Sequence, residues 1–374
     1  MPAESMQEKL ENNMNESNMY DLRVEGGRVI EQMKLRPSPI VEARNLMSQT
    51  LLAHVLLGLS DAGFYEYIAN KSSFSPEDAI KKLNLEEFTF TSLLEYLLGC
   101  GIFTRQNDGK LYLTEKGKRS FNVYTRGVLN VYLGGYSSVL RSLGDVVGKK
   151  LALNDKTLRR STRHAAAGTA YSTCAFTIPD VFDAMRNTNG KVCLDLGCGT
   201  GDFLLQWVLH DSNAKGIGVD MSADALCQAR DTAQRWGVSD RLEFFEAEVG
   251  SEPLPIPSNL LEKVEIISAM YILHEFGRHG RQSIIDVLLA LKAQLAGRNL
   301  LALEVEACDP EKFAALQPPP LHFGRLDYRR IHQLSGQGLP RGQEDWHSIF
   351  LDAGAEIVEP GKSTGGSLIY IVRL

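Results

Sequence analysis

Apolar positions in the first half of the chain follow a helical pattern. They recur at helical spacing over residues 41–69 and again over 91–99, which predicts two helices. Ser75 before Pro76 marks a third helix start, since serine caps a helix and proline favours its first turn. Alternating residues over 102–117 surround Asn107-Asp108-Gly109, which predicts a β-hairpin.

Three helices followed by a hairpin form the pattern of a winged helix, which either binds DNA or serves as a packing and dimerisation module. The recognition region FTFTSLLEYLLGC is almost free of lysine and arginine, and the formal net charge of the chain is −6. Phosphate binding requires a basic surface. We therefore predict a dimerisation module, a homodimer and no nucleic acid partner.

From about residue 180 short β-branched runs alternate with helical segments, which predicts an α/β fold with a parallel sheet. The last two runs are joined by the short link 360–366, so we predict that they pair antiparallel. The predicted division is a polar N-terminal extension (1–38), a helical winged-helix dimerisation and substrate-lid domain (39–165) and a catalytic domain (166–374).

Composition indicates an ordinary globular protein, with 44% hydrophobic and 23% charged residues. No apolar run reaches the roughly 18–20 residues of a membrane span. The polar, acidic start lacks a secretion signal, and the six cysteines lack metal-knuckle spacing. These features predict a cytoplasmic protein with no membrane partner.

The stretch DLGCGTGDF joins the first predicted strand of the second half to a predicted helix. It supplies two carboxylates and three glycines at Asp195, Gly197, Gly199, Gly201 and Asp202. Such glycines let the backbone turn tightly and approach a ligand, while Asp220, nineteen residues after Gly201, is placed to accept hydrogen bonds from ribose hydroxyls. The loop carboxylates would repel a pyrophosphate and suit the cationic S-adenosylmethionine.

Together LDLGCGTGDF and GVDMS resemble the first two motifs of the class I S-adenosylmethionine-dependent methyltransferases. The resemblance implies a Rossmann-like domain with a seven-stranded sheet whose last strand is antiparallel. It also implies donor contacts at Met221 and, at the end of the third strand, at Ala247 and Glu248.

His274 and Glu275 follow the fourth predicted strand, at the sheet edge where ligands bind. In one interpretation His274 is a general base that deprotonates a hydroxyl. This resembles the small-molecule O-methyltransferases, which carry a winged-helix domain and a His-Asp-Trp motif where this chain has His-Glu-Phe.

In the other interpretation His274 and Glu275 are metal ligands, and His322 in LQPPPLHFGRLDY is the third. Two imidazoles and one carboxylate suit iron best, with zinc, manganese and cobalt as alternatives. A bound metal would polarise a 2-oxo acid and stabilise the enolate that attacks the methyl donor.

The chain resembles the α-keto acid C-methyltransferases over nearly its full length, through the glycine loop, LHEF, the later histidine and the GLP…DWHSIFLDAGA tail. This implies methylation of the β-carbon of a 2-oxo acid such as 2-ketoarginine or phenylpyruvate. A metal-independent O-methyltransferase is the alternative, and a DNA-binding regulator that only senses ligand is a third hypothesis.

Arginines before the catalytic domain are candidates to bind the substrate carboxylate: Arg141, Arg160 and Arg163. We select Arg141 for this role and Tyr171 as an aromatic wall of the site. The remaining histidines, His332 among them, show no partner pattern in the sequence. The substrate side chain, the metal, the base and the stereochemistry stay open.

Overall fold

The computed structural model describes residues 24–25, 28–29, 37–152, 155, 157–186, 188, 190–311, 324–364 and 366–374. The chain divides into two compact units, Met1–Leu52 and Ala53–Leu374. In the first unit β1 (Val24–Glu25) pairs antiparallel with β2 (Arg28–Val29), and helix α1 (Pro37–Asp61) begins there. Among the helices in these ranges, none is both long enough and apolar enough to cross a membrane.

The second unit begins with short helices and a small sheet. The helices are α2 (Phe64–Ile68), α3 (Pro76–Leu83) and α4 (Glu87–Gly99), and the strands are β3 (Ser73–Phe74), β4 (Phe103–Arg105) and β5 (Leu111–Leu113). The predicted hairpin is confirmed, since β4 pairs antiparallel with β5, and β3 joins its other side. The segment 41–69, predicted as one helix, forms two helices, because Gly63 adopts a φ of 78° and separates α1 from α2.

Closely packed helices follow. Their bounds are α5 (Glu115–Ser120), α6 (Val123–Leu129), a π-helical turn (Asn130–Gly135), α7 (Tyr136–Arg141), α8 (Leu143–Val147), α9 (Thr162–Phe176) and α10 (Ile178–Arg186). Helices α6 and α9 pack backbone against backbone, since a Cβ on Gly168 would lie 2.7 Å from the carbonyl oxygen of Gly127. The predicted division at residue 165 falls inside α9 and stays a prediction.

A seven-stranded sheet forms the centre of the second unit. Its strands are β6 (Val192–Leu196), β7 (Lys215–Asp220), β8 (Leu242–Glu246), β9 (Ile266–Met270), β10 (Asn299–Val305), β11 (Glu356–Thr364) and β12 (Ser367–Arg373). The order β11-β12-β10-β9-β6-β7-β8 is parallel except at β12, which runs antiparallel to both neighbours. The predicted α/β fold and antiparallel last strand are confirmed, although β11 runs through most of the segment predicted as a link.

Helices cover the sheet, and their apolar residues form buried clusters with the strands. They are α11 (Asp202–His210), α12 (Ala223–Arg235), α13 (Ser258–Leu261), α14 (Leu273–Phe276), α15 (Arg281–Leu295) and α17 (Gln343–Asp352), whereas α16 (Gly324–Leu334) packs its Ile331 in a separate cluster with Val131, Tyr136 and Val139. Because β6, β7, β9 and β10 are parallel neighbours, their carboxyl ends meet at one edge of the sheet. The candidate site lies at that edge, as expected for an open α/β sheet.

Candidate active site

The glycine loop turns tightly between β6 and α11. Gly197, Gly199 and Gly201 have φ values of 71°, 54° and 74°, a conformation that favours glycine over residues with a Cβ. The amide nitrogens of Gly197 and Cys198 donate hydrogen bonds to the Val219 carbonyl at 2.8 and 3.0 Å. The loop is therefore held against the end of β7 and leaves its outer face open to a ligand.

Carboxylates surround this loop. Asp220 accepts hydrogen bonds from the amide nitrogens of Gly199 at 2.9 Å and Ser222 at 2.8 Å. The Ser268 hydroxyl donates to buried Asp195 at 2.6 Å. Burial, assisted by the negative charge of Asp220, raises the pKa of Asp195 to about 7. Burial also raises the pKa of Asp202, whose carboxylate accepts a hydrogen bond from Thr200. The site thus concentrates negative charge at a poorly solvated position, which suits a cationic ligand.

A cavity of about 670 Å³ runs from the glycine loop to the end of β9. Most of the predicted donor residues line it, together with a second group of side chains at the other end. The donor residues are Asp195, Gly197, Gly199, Asp202, Asp220 and Met221, and the second group includes Arg160, Arg163, Tyr271, Glu275 and Tyr328. A ligand bound at the loop would therefore share one cavity with a ligand bound at Glu275.

Several predicted residues lie elsewhere. Arg141 is exposed at the end of α7, and among the residues described Arg160, not Arg141, lines the main cavity. Tyr171 lines a neighbouring cavity of about 450 Å³ that shares Thr200 and Asp202 with the main one. The backbone nitrogen of Ala247 donates to the Asp220 carbonyl at 3.0 Å, so Ala247 and Glu248 follow β8 beside the loop. Predicted roles for these residues stay predictions.

Two buried imidazoles converge on the Glu275 carboxylate, which lines the second end of the cavity. His274 and Glu275 belong to α14, and His332 comes from α16. Their candidate ligand atoms all lie within 4.8 Å of one another, and Glu275 Oε1 is 4.0 Å from His274 Nε2 and 3.9 Å from His332 Nε2. No partner for His332 was predicted from the sequence, whereas His322, the predicted ligand, lies outside the described residues.

Each imidazole is oriented by a hydrogen bond at Nδ1. His274 Nδ1 lies 2.5 Å from Glu304 Oε2, and His332 Nδ1 lies 2.9 Å from the carbonyl oxygen of Tyr328. Since a carbonyl only accepts, Nδ1 of His332 carries the hydrogen and Nε2 is left as an acceptor. Such outer hydrogen bonds are how proteins fix metal-binding histidines.

Nε2 of His332 is buried and has no hydrogen-bond partner among the residues that the structure describes. A buried polar atom without a partner costs free energy, so this nitrogen points to a ligand that completes the site. Burial, together with the neighbouring His274, lowers the pKa of His332 well below its ordinary value. The ring is therefore neutral at physiological pH, as a metal ligand must be.

Glu304 is buried at the carboxyl end of β10 and organises α14. It accepts hydrogen bonds from the backbone nitrogens of Leu273 and His274 at 2.7 and 3.3 Å, besides its contact with the imidazole. Burial alone would lower the pKa of His274, but the charge and hydrogen bond of Glu304 outweigh it and raise the pKa. One sequence signal marked this residue, since Glu304 is the acidic residue within the apolar run NLLALEV.

Tyr328 closes the cluster from the cavity side. Its ring stacks on His332 with centroids 3.8 Å apart, and its hydroxyl lies 3.2 Å from Nε2 of His274. Tyr328 also lines the main cavity. The hydroxyl can therefore contact both His274 and a molecule bound beside Glu275.

Comparisons with known proteins agree with this geometry. Residues 187–281 match a family model described as a methyltransferase domain. The chain is 25% identical over 325 residues to the 2-ketoarginine methyltransferase of Streptomyces arginensis. The alignment covers 85% of this chain and 89% of that protein. All of the cavity residues from Asp195 to Glu275 fall inside the matched domain.

Solved structures share the fold at lower sequence identity. LaPhzM aligns with a TM-score of 0.61 at 17% identity, over 90% of this chain and 98% of that one. The mitomycin 7-O-methyltransferase MmcR aligns with a TM-score of 0.57 at 12% identity, over the same shares. At these identities the alignments establish the fold but not the reaction, which has to be inferred from the residues of the site.

Proposed function

Since the chain carries a class I S-adenosylmethionine-dependent methyltransferase domain, we propose that it methylates the β-carbon of a 2-oxo acid. In this proposal a divalent metal is held by His274, Glu275 and His332. One observation carries it: Nε2 of His332, which has no hydrogen-bond partner among the described residues, lies 3.9 Å from Glu275, and Glu275 lines the cavity that contains the glycine loop. The similarity to 2-ketoarginine methyltransferase supports the substrate class.

The donor set fits a metal ion of the iron type, with zinc, manganese and cobalt as alternatives. Both histidines present oriented Nε2 atoms, that of His332 on a neutral ring, and Glu275 supplies one negative charge. When bound, the ion would polarise the 2-oxo group and favour loss of a proton from the adjacent carbon. His322 remains a predicted ligand, and variants of both histidines separate the two assignments.

The protein's own groups account for binding and orientation. Asp195, Asp202 and Asp220 attract the cationic donor to the loop. At the other end of the cavity Arg160 presents a guanidinium group that can bind the substrate carboxylate. The substrate carbon would thereby lie between the donor methyl group and the His-Glu-His cluster, an arrangement that removes much of the entropic cost of reaction.

Metal removal tests the proposal. We expect the purified protein to methylate one or more 2-oxo acids in a panel, to lose that activity with a chelator and to regain it with ferrous iron. Mass spectrometry of the products measures both the reaction and its site. Product formation that is unchanged by chelation would contradict the metal assignment.

A second candidate function is a metal-independent O-methyltransferase, which the His274–Glu304 contact favours. Glu304 raises the pKa of His274 and holds its Nδ1, so that Nε2 is positioned to take a proton from a substrate hydroxyl. Methylation of a phenol in the same assay, indifferent to chelator, would support this function instead.

Donor binding should depend on pH through Asp195. Its pKa of about 7 means that the carboxylate is largely protonated at pH 6 and largely ionised at pH 8. Only the ionised form attracts the donor cation, so we expect affinity to fall about tenfold from pH 8 to pH 6. Calorimetric titration with S-adenosylmethionine measures this affinity. Asp195→Asn is the control, because the ratio of the two proteins' affinities at each pH is free of the ligand's own titration. Parallel pH profiles for the two proteins would contradict the role of Asp195.

We also propose a homodimer that forms through the N-terminal region, built as a winged-helix module. Helix α1 exposes Val41, Leu46, Met47 and Leu51 at 54%, 70%, 63% and 50% of their surfaces. Clustered exposed apolar residues of this kind mark interaction sites. Sedimentation of the full chain measures the oligomeric state.

A further inference from the structure

A closed ring of hydrogen bonds passes through Oε1 of Glu275. Arg160 Nη1 lies 3.0 Å from Glu275 Oε1, and Gln337 Nε2 lies 2.7 Å from the same oxygen. The Tyr136 hydroxyl completes the ring, since it donates to Gln337 Oε1 at 2.7 Å and accepts from Arg160 Nη1 at 3.3 Å. Every donor in this ring meets an acceptor, which also fixes the orientation of the Gln337 amide.

The two hydrogen-bond donors of the ring contact the Glu275 oxygen that faces the two imidazoles. Glu275 Oε1 is the oxygen that lies 4.0 Å from His274 Nε2 and 3.9 Å from His332 Nε2. A carboxylate on a free side chain samples several rotamers, whereas two donors on one oxygen select one of them. The ring therefore aims Glu275 at the two imidazoles.

Gln337 and Tyr136 are themselves anchored. The backbone nitrogen of Gln337 donates to the His332 carbonyl at 2.9 Å, and the Ser335 hydroxyl donates to Gln337 Oε1 at 2.7 Å. Tyr136 is 1% exposed and follows the π-helical turn 130–135. Arg160 differs from both, since its side chain is 35% exposed and lines the main cavity.

We infer that Gln337 and Tyr136 are positioning residues that hold Glu275 in the proposed metal site, while Arg160 is the exchangeable member of the ring. This inference rests on the proposed function. When a cation binds the carboxylate, the attraction between Glu275 and Arg160 weakens, and the guanidinium is released toward the substrate carboxylate. Gln337 is neutral and keeps its hydrogen bond to Glu275. Metal would thus bind before the 2-oxo acid.

Metal affinity separates these roles. Calorimetric titration of the full chain with Mn²⁺ is expected to show an affinity about 10- to 100-fold weaker in Gln337→Met, the usual range for lost outer hydrogen bonds. Tyr136→Phe should lose less, because Ser335 still holds the Gln337 amide. Gln333→Met is the matched control, since Gln333 is exposed on α16 and its amide oxygen accepts from Arg330.

Arg160→Met should behave in the opposite way. Removal of a competing cation leaves Mn²⁺ affinity equal or higher, while the KM for the 2-oxo acid rises at least about tenfold. Thermal unfolding of all variants should stay within a few degrees of the parent, which excludes a general loss of structure.

The outcomes are distinguishable. If the parent protein binds no metal ion, the proposed function fails and the inference fails with it. If the parent binds Mn²⁺ and Gln337→Met binds it equally well, only the positioning role is overturned. Weaker metal binding in Arg160→Met would overturn the exchange of Arg160 between Glu275 and substrate.

Discussion

Replacing His332 by alanine is expected to remove metal binding and to slow methylation of a 2-oxo acid by about 100- to 1000-fold. This is the range for loss of one group that stabilises developing negative charge in a buried site. Among the described residues Nε2 of His332 has no hydrogen-bond partner, and alanine would leave His274 and Glu275 as the remaining ligands of the proposed site. Metal analysis of the purified variant and a mass-spectrometric assay measure the two effects.

This variant separates the two candidate functions. A general-base mechanism needs His274 and Glu304, which His332→Ala leaves in place, so it predicts nearly full activity. His322→Ala tests the sequence-based ligand in the same assay, and His347→Ala is a surface control because His347 is exposed on α17. If His332→Ala keeps normal metal content and activity while His322→Ala loses both, the third ligand is His322, the residue predicted from sequence.

The glycine loop and the strand edges were predictable because the responsible signals are local. A strand, three glycines and a following helix lie within one short stretch, and the position of His274 follows from the rule that parallel strands end at one edge. The antiparallel last strand was equally predictable, since a short link excludes a crossover helix.

The partners of His274 were not predictable in the same way. His332 lies 58 residues farther along the chain, and only the packing of α16 brings it within reach of Glu275. The Tyr136–Gln337 contact joins residues 201 positions apart. Spacing likewise did not indicate that Arg160 lines the main cavity, since its place there depends on the fold, while the predicted role of Arg141 stays a prediction. Pairings of this kind depend on the whole fold, which residue spacing does not encode.

The second large effect is expected at Gly338, where the chain after α16 passes against α14. A Cβ added at Gly338 would lie 1.6 Å from the carbonyl oxygen of His274 and 2.9 Å from the Cα of Glu275. Both neighbours are backbone atoms, so no side-chain rotation relieves the contact. Gly338→Ala must therefore displace either the 337–339 segment or the turn that carries His274 and Glu275.

We expect Gly338→Ala to lose methyl transfer almost completely and to lower the free energy of unfolding by about 1–3 kcal/mol, as for overpacked interiors. Gly342→Ala is the matched control, because a Cβ there meets nothing within 4 Å. Thermal unfolding and the product assay measure the two effects. The prediction holds for either chemistry, since a metal ligand and a general base both require His274 in place. A fully active Gly338→Ala protein would therefore contradict the geometry of the site itself, and a protein that is inactive yet as stable as Gly342→Ala would confine the damage to the His274–Glu275 turn.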